Sequence, residues 1–122
     1  MNRRQQALVD GIERRVFGVP TGASGYTTAA EARALARYLP VGRGELLLDL
    51  GSGAGWPALY VARVTGCSVV LSDVPRAGLI ESAGRARRAH VYRRCTAILA
   101  SGDRLPFRRQ SFDAITHADV LC

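Results

Sequence analysis

Two carboxylates and three glycines hold most of the chemistry this chain can do. Leu46, Leu47, Leu48, Asp49 and Leu50 form an apolar run interrupted by one acid, and Gly51, Gly53 and Gly55 follow at alternate positions. Such a run reads as a buried parallel strand, and glycines directly after it permit a tight turn in which bare backbone approaches a ligand. Twenty-two residues beyond Gly51, the run Val69-Val70-Leu71 ends near a second acid, Asp73. A carboxylate at the end of a second strand can accept from both hydroxyls of a ribose, with about 1.5–3 kcal/mol in each charge-assisted bond. The pattern is that of a nucleoside-type site.

The glycine spacing narrows the nucleoside. A dinucleotide fingerprint needs a third Gly or Ala three residues after Gly53, and Trp56 stands there. Its indole opposes NAD and FAD. No Gly-Lys-Ser/Thr follows the turn and the chain has no lysine, which excludes a phosphate-cradling P-loop. A ligand with ribose and adenine but no pyrophosphate fits.

The elements that must position these groups are legible around them. Pro57 suits a first helical turn, and Ala58, Leu59, Val61 and Ala62 continue at helical spacing. Upstream, Leu8, Ile12 and Val16 recur every fourth residue in a helical pattern over the first 17 residues, which Gly18 to Gly25 break. Thr28 then caps a second helix reaching about Leu39, with Glu31 completing a capping box. Downstream, the pattern predicts a helix over about 75–89, a third strand over about 96–100 and a fourth over 112–116. This alternation implies right-handed crossovers and an α/β fold, a Rossmann-like parallel sheet with helices on both faces. Residues 1–44 read as N-terminal helices with a segment that caps the ligand, and 45–122 as the ligand-binding half-domain, the two making one compact unit.

Three segments in this order resemble a known family, the class I S-adenosylmethionine-dependent methyltransferases, especially those acting on small molecules. Leu47-Leu48-Asp49-Leu50-Gly51-Ser52-Gly53-Ala54-Gly55 is similar to the family's first motif, and Asp73 matches the acid after its second strand. Gly102-Asp103-Arg104-Leu105-Pro106-Phe107, followed by Ser111-Phe112-Asp113-Ala114-Ile115, is similar to its "GD-x-LPF…SFD-x-I" stretch. The resemblance covers about residues 22–122 and implies four strands in the order 3-2-1-4 after one or two N-terminal helices. It further implies that Gly51, Ser52, Gly53 and Gly55 line the amino-acid part of S-adenosylmethionine, with Asp49 beneath them. Asp73 and its neighbour Val74 would hold the ribose, and Asp103, flanked by Gly102 and Arg104, the adenine amine. Tyr26 would fold over the cofactor. His117 would lie near the reactive sulfonium as the candidate catalytic base, with Asp119 second.

Other readings of these residues stand beside these roles. Asp73 could cap a helix opening at Pro75, Asp103 could be a turn residue, and His117 and Tyr26 could be structural. The stretch Thr116-His117-Ala118-Asp119 lacks the Asn/Asp-Pro-Pro-Tyr/Phe pattern of relatives that methylate amino groups in nucleic acids or proteins, which favours a small-molecule acceptor. Full members of the family continue with three more strands. The resemblance therefore implies a chain truncated after the fourth strand, whose bare edge invites self-association or a complementing chain. Activity of this chain alone stays open, and the alternatives are a non-catalytic cofactor-binding or interaction module and an inactive gene fragment.

Composition bounds the remaining classes. A chain of 122 residues is one domain, and its net charge of +7 comes with 17 arginines. The densest cluster, Arg85, Arg87, Arg88, Arg93 and Arg94, reads as a solvated helix end near the negative pole of the helix dipole. It lacks the series of stacking aromatics that a single-strand-binding surface uses, so nucleic acid is not the expected partner. The apolar runs are far too short to span a membrane and no secretory pattern opens the chain, so a cytoplasmic location is expected. Cys67, Cys95 and Cys122 are odd in number and show no Cys-x-x-Cys pairing, which predicts reduced thiols and no metal site.

Overall fold

The computed structural model describes residues 2–5, 7–8, 27–102 and 104–117. Its main elements are helix α1 (Ala29–Tyr38), strand β1 (Leu46–Leu50), helix α2 (Ala58–Thr65), strand β2 (Ser68–Asp73), helix α3 (Arg76–Arg88), a short 3-10 turn (Tyr92–Arg94), and strands β3 (Cys95–Leu99) and β4 (Ala114–Thr116). The strands form one parallel sheet in the order β3-β2-β1-β4. Tyr26, Asp103 and Asp119 lie outside the described residues, as does most of the predicted first helix. Where that helix is described it opens on a reciprocal cap, Asn2 Oδ1 accepting from the Gln5 amide at 2.8 Å and Gln5 Oε1 from the Asn2 amide at 3.0 Å.

Strand periodicity decides which side chains meet the helices. Leu47, Val69 and Leu71 point to one face of the sheet, in register across β1 and β2. They are fully or almost fully buried with Leu59, Val61 and Ala62 of α2 and Leu79 and Ala86 of α3. Helix α1 adds Leu35 and Ala36, and its C-cap Leu39, at the border of this core. Among the described residues the helix layer is confined to this face. The opposite face carries Leu48, Val70 and Ser72, and the described part of the chain between β3 and β4 contains no helix. Within it, Phe107 and Phe112 pack edge to face with centroids 4.9 Å apart.

Local chemistry sets the element ends. The predicted capping box on α1 is present, the Thr28 hydroxyl accepting from the Glu31 amide at 3.1 Å and Glu31 Oε1 from the Thr28 amide at 3.2 Å. Helix α2 stops at Gly66, whose φ of 82° lies in the left-handed region that favours glycine. Pro57 and Pro75 stand one residue before α2 and α3, not inside their first turns. Strand β4 is shorter than the sequence pattern suggests. Asp113 is excluded from it because its carboxylate accepts from the Leu46 amide at 2.8 Å and its own amide donates to Leu46 O at 2.9 Å, fastening the entry of β4 to that of β1.

Cys67 is buried just before β2 and Cys95 opens β3, both as free thiols. Burial pushes the Cys95 thiol up to about 11, so it remains protonated and unreactive at neutral pH. No helix among the described residues is long and apolar enough to cross a membrane.

Candidate functional site

At the carboxyl end of β1 the chain turns through Gly51, Gly53 and Gly55, with φ of 67°, 54° and 105°. Each lies in the region where a Cβ is disfavoured, which is why glycine recurs at alternate positions. The turn is pinned to β2: the Gly51 and Ser52 amides donate to Ser72 O at 2.8 and 3.2 Å, and the Gly55 amide closes back on Ser52 O at 2.9 Å. A Cβ on Gly55 would sit 2.6 Å from Leu59 Cδ1, so this glycine lets the turn lie against helix α2. A Cβ on Gly53 would meet nothing within 4 Å. That position faces open space, as a backbone cradle for a ligand must.

Asp73 ends β2 directly beside this turn. Its Oδ2 accepts from the Gly53 amide and its Oδ1 from the Val74 amide, both at 2.7 Å. The N-cap position of α3 belongs to Pro75, without a side-chain cap, so Asp73 does not serve as that helix's cap. An ionised carboxylate has about four lone-pair sites, so two backbone donors leave capacity for the two hydroxyls of a diol. The Ala100 amide donates to Asp73 O at 3.0 Å, which brings the segment holding Gly102 and Arg104 to the same strand ends. Gly102 is exposed with open space at its Cβ position, and Arg104 is exposed with its amide bonded to Ser101 O at 3.1 Å.

Asp49 is 2% exposed on the core side of β1. Its Oδ1 accepts from Thr116 Oγ1 at 2.7 Å, across the β1–β4 pairing. The acid beneath the glycines thus also ties the two strands between which the sheet order reverses, the position where open α/β sheets bind ligands. Thr116→Val keeps the side-chain shape and removes this donor. Because the pair is buried, the variant is expected to lose about 1–3 kcal/mol of stability, read from the urea midpoint.

Three positions in the site were not legible as functional in the sequence. Thr116 acquires its role only through register with Asp49. Gly78, in α3, would place a Cβ 3.1 Å from both the carbonyl carbon and oxygen of Gly53, so its bareness lets that helix approach the turn. Trp56, which argues against a dinucleotide site, is 5% exposed and donates from Nε1 to Thr27 O at 2.9 Å. With Tyr60 and Ala32 it docks α1 onto α2 next to the turn.

His117 is exposed at the end of β4, in an open cleft of about 640 Å³ whose other walls include Glu31, Tyr38 and Leu35 of α1 together with Thr27 and Ile115. Thr116 lines this cleft and also donates to Asp49, two residues before the glycine turn. The structure thus brings Asp49, Gly51, Ser52, Gly53, Gly55, Asp73 and Val74 to one end of the sheet and His117 to its flank.

Two observations bear on whether this end suits an adenosyl cofactor. Ser52 Oγ is buried with no hydrogen-bond partner, and the Gly53 position opens onto empty space. A donor without a partner beside a bare-backbone cradle and a carboxylate with spare acceptor capacity suits a ligand bearing an amino-acid end and a ribose diol.

Comparison with known proteins points the same way. A family model described as a methyltransferase domain matches residues 47–122. Methyltransferase GfsG of Streptomyces halstedii is 38% identical over 77 residues, which make up 63% of this chain and 28% of that protein. The chain thus spans little more than a quarter of that relative's length. Among solved structures, an S-adenosylmethionine-dependent methyltransferase from Geobacter sulfurreducens in complex with S-adenosyl-L-homocysteine superposes with a TM-score of 0.57 at 27% identity, covering 70% of this chain and 36% of that one. The [4+2]-cyclase SpnF superposes with a TM-score of 0.66 at 26% identity, covering 92% of this chain and 46% of that one.

Proposed function

The chain belongs to the methyltransferase domain family, whose members depend on S-adenosylmethionine, and from this premise we propose that it is the cofactor-binding portion of an enzyme that methylates a small molecule. The observation that carries this reading is the contact between Asp73 and the Gly53 amide, which sets a carboxylate and a bare backbone turn around one space. Bound there, S-adenosylmethionine supplies a methyl group on a positively charged sulfur, which leaves without needing a proton.

The residues of the chain then have four tasks. Gly51, Gly53 and Gly55 admit the amino-acid end against backbone, and Ser52 Oγ donates to it. Asp73 accepts from the two ribose hydroxyls. The cleft between α1 and β4 would position the acceptor, and positioning would supply most of the rate. His117 takes the proton of a hydroxyl or phenol acceptor through its neutral imidazole. The apolar cleft wall of Leu35, Leu39 and Ile115 suits a small organic acceptor better than a polyanion. Ile115 is 57% exposed on β4, whose outer flank pairs with no other described strand. The same reading places a complementing segment, or a second copy, on that flank.

Thermal unfolding with S-adenosylhomocysteine tests the cofactor assignment. A ligand at about 100 times its Kd adds about 2.7 kcal/mol, a rise in Tm of about 10 °C for a chain of this size. An unchanged Tm at millimolar ligand refutes the assignment. The second reading, cofactor binding without methyl transfer, is favoured by the 92% coverage against a structure named for a cyclase. Radiolabelled methyl transfer to a panel of phenols and alcohols separates the two. His117→Ala is expected to lower transfer about 100-fold while leaving the thermal shift intact.

A further inference from the structure

All strands of a parallel sheet enter at the same end, and here that end gathers cations. Arg43 precedes β1, Arg63 closes α2 before β2, and Arg94 precedes β3. The three line one hollow of about 450 Å³, together with the backbone of Gly44 and Gly66. Two of them are positioned by main chain and not by acids. Arg94 Nη1 donates to Ala62 O at 3.0 Å and to Cys67 O. The Arg43 stem crosses Gly66, where an added Cβ would lie 2.9 Å from Arg43 Cγ.

Among the described residues none of the three guanidinium groups has a carboxylate counter-ion, unlike Arg85, which pairs with Glu81. The acids that enter the sheet beside them are Glu45 and Asp113, and Asp113 is engaged by the Leu46 amide. Arg94 also borders an adjoining hollow with Arg93 and with Arg87, whose guanidinium stacks on Tyr92 at 4.4 Å. Arg43, Arg63, Arg87, Arg93 and Arg94 outnumber the carboxylates of Glu45 and Asp113, so the end keeps an excess of positive charge.

We propose that the hollow of Arg43, Arg63 and Arg94 is an oxyanion site that takes the phosphoryl group of a small phosphorylated ligand. Guanidinium forks match phosphate geometry, and Gly44 and Gly66 present no side chain to the hollow, so an anion can approach closely, although the Gly66 amide itself is held by Ala62 O at 3.0 Å. The five residues of β1, at about 3.3 Å each, set the hollow about 15 Å from the glycine turn. It is a separate site, and it stands whether or not the cofactor reading does.

Calorimetric titration of the intact chain with inorganic pyrophosphate tests it. Saturable binding is expected, weakened by at least about tenfold in Arg43→Gln/Arg63→Gln. The control Arg108→Gln/Arg109→Gln, with the same change in net charge outside the hollow, is expected to bind like the parent. Thermal melts of both variants check that each is folded. Absence of saturable binding in the parent overturns the proposal, as does equal weakening in both variants, which marks diffuse attraction. A short single-stranded oligonucleotide that binds through Arg43 and Arg63 while pyrophosphate does not would assign the edge to a polymer and also overturn it.

Discussion

Asp73→Ala removes the thermal stabilisation that S-adenosylhomocysteine confers on the parent, with an expected loss in affinity of about 100-fold or more. The carboxylate is the partner of the Gly53 amide at 2.7 Å, so its removal loses the two hydroxyl contacts to ribose and also frees the turn. Each charge-assisted bond is worth about 1.5–3 kcal/mol, and two such bonds reach or exceed that loss. Asp73→Asn is a sharper probe. Both oxygens accept from backbone amides, Gly53 on one and Val74 on the other, so the carboxamide must set an NH2 donor against one N–H donor. The asparagine variant is therefore expected to be no better than alanine. Titration calorimetry beside a denaturation curve separates lost binding from lost folding. A variant that binds as the parent does sinks the ribose role.

Gly55→Ala and Gly53→Ala, two residues apart, are expected to fail in opposite ways. At Gly55 the φ of 105° is strained for any side chain, and the added Cβ would meet Leu59 Cδ1 at 2.6 Å and Cγ at 2.8 Å. Leu59 is fully buried in the core and has no room to move aside. Backbone strain of about 1–3 kcal/mol and overpacking of similar size add up to a large part of the stability of a small domain. The melting temperature is expected to fall by about 10–20 °C. At Gly53 the φ of 54° lies in the left-handed helical well and the added Cβ meets open space. The cost there is about 1–2 kcal/mol, but the methyl group occupies the cradle. Gly53→Ala is expected to stay folded and lose its response to S-adenosylhomocysteine. Equal thermal losses in the two variants would show that the turn is shaped by folding alone.

Residues 46–102 were largely readable without coordinates, because there local and long-range preferences agree. An apolar run, a glycine turn and an amphipathic helix each specify their own conformation, and right-handed crossover then leaves few ways to order the strands. The cap on α1 was equally plain, since Thr28 and Glu31 satisfy one another's backbone over three residues. The limits of β4 were not. Its pattern continued back to Phe112, but the Asp113 side chain took the Leu46 amide and the strand begins two residues later than expected, at Ala114.

The chain's own residue order determined the strand sequence, the glycine turn and the acid that follows the second strand, because each depends on neighbours within a few positions. Only the folded sheet decided that Asp73 would bond Gly53, that Thr116 would face Asp49, that Gly78 would make room for the turn, and that three distant arginines would share one hollow. Those partners lie between 20 and 67 positions apart along the chain, and only register and packing, which no local pattern encodes, bring them within reach.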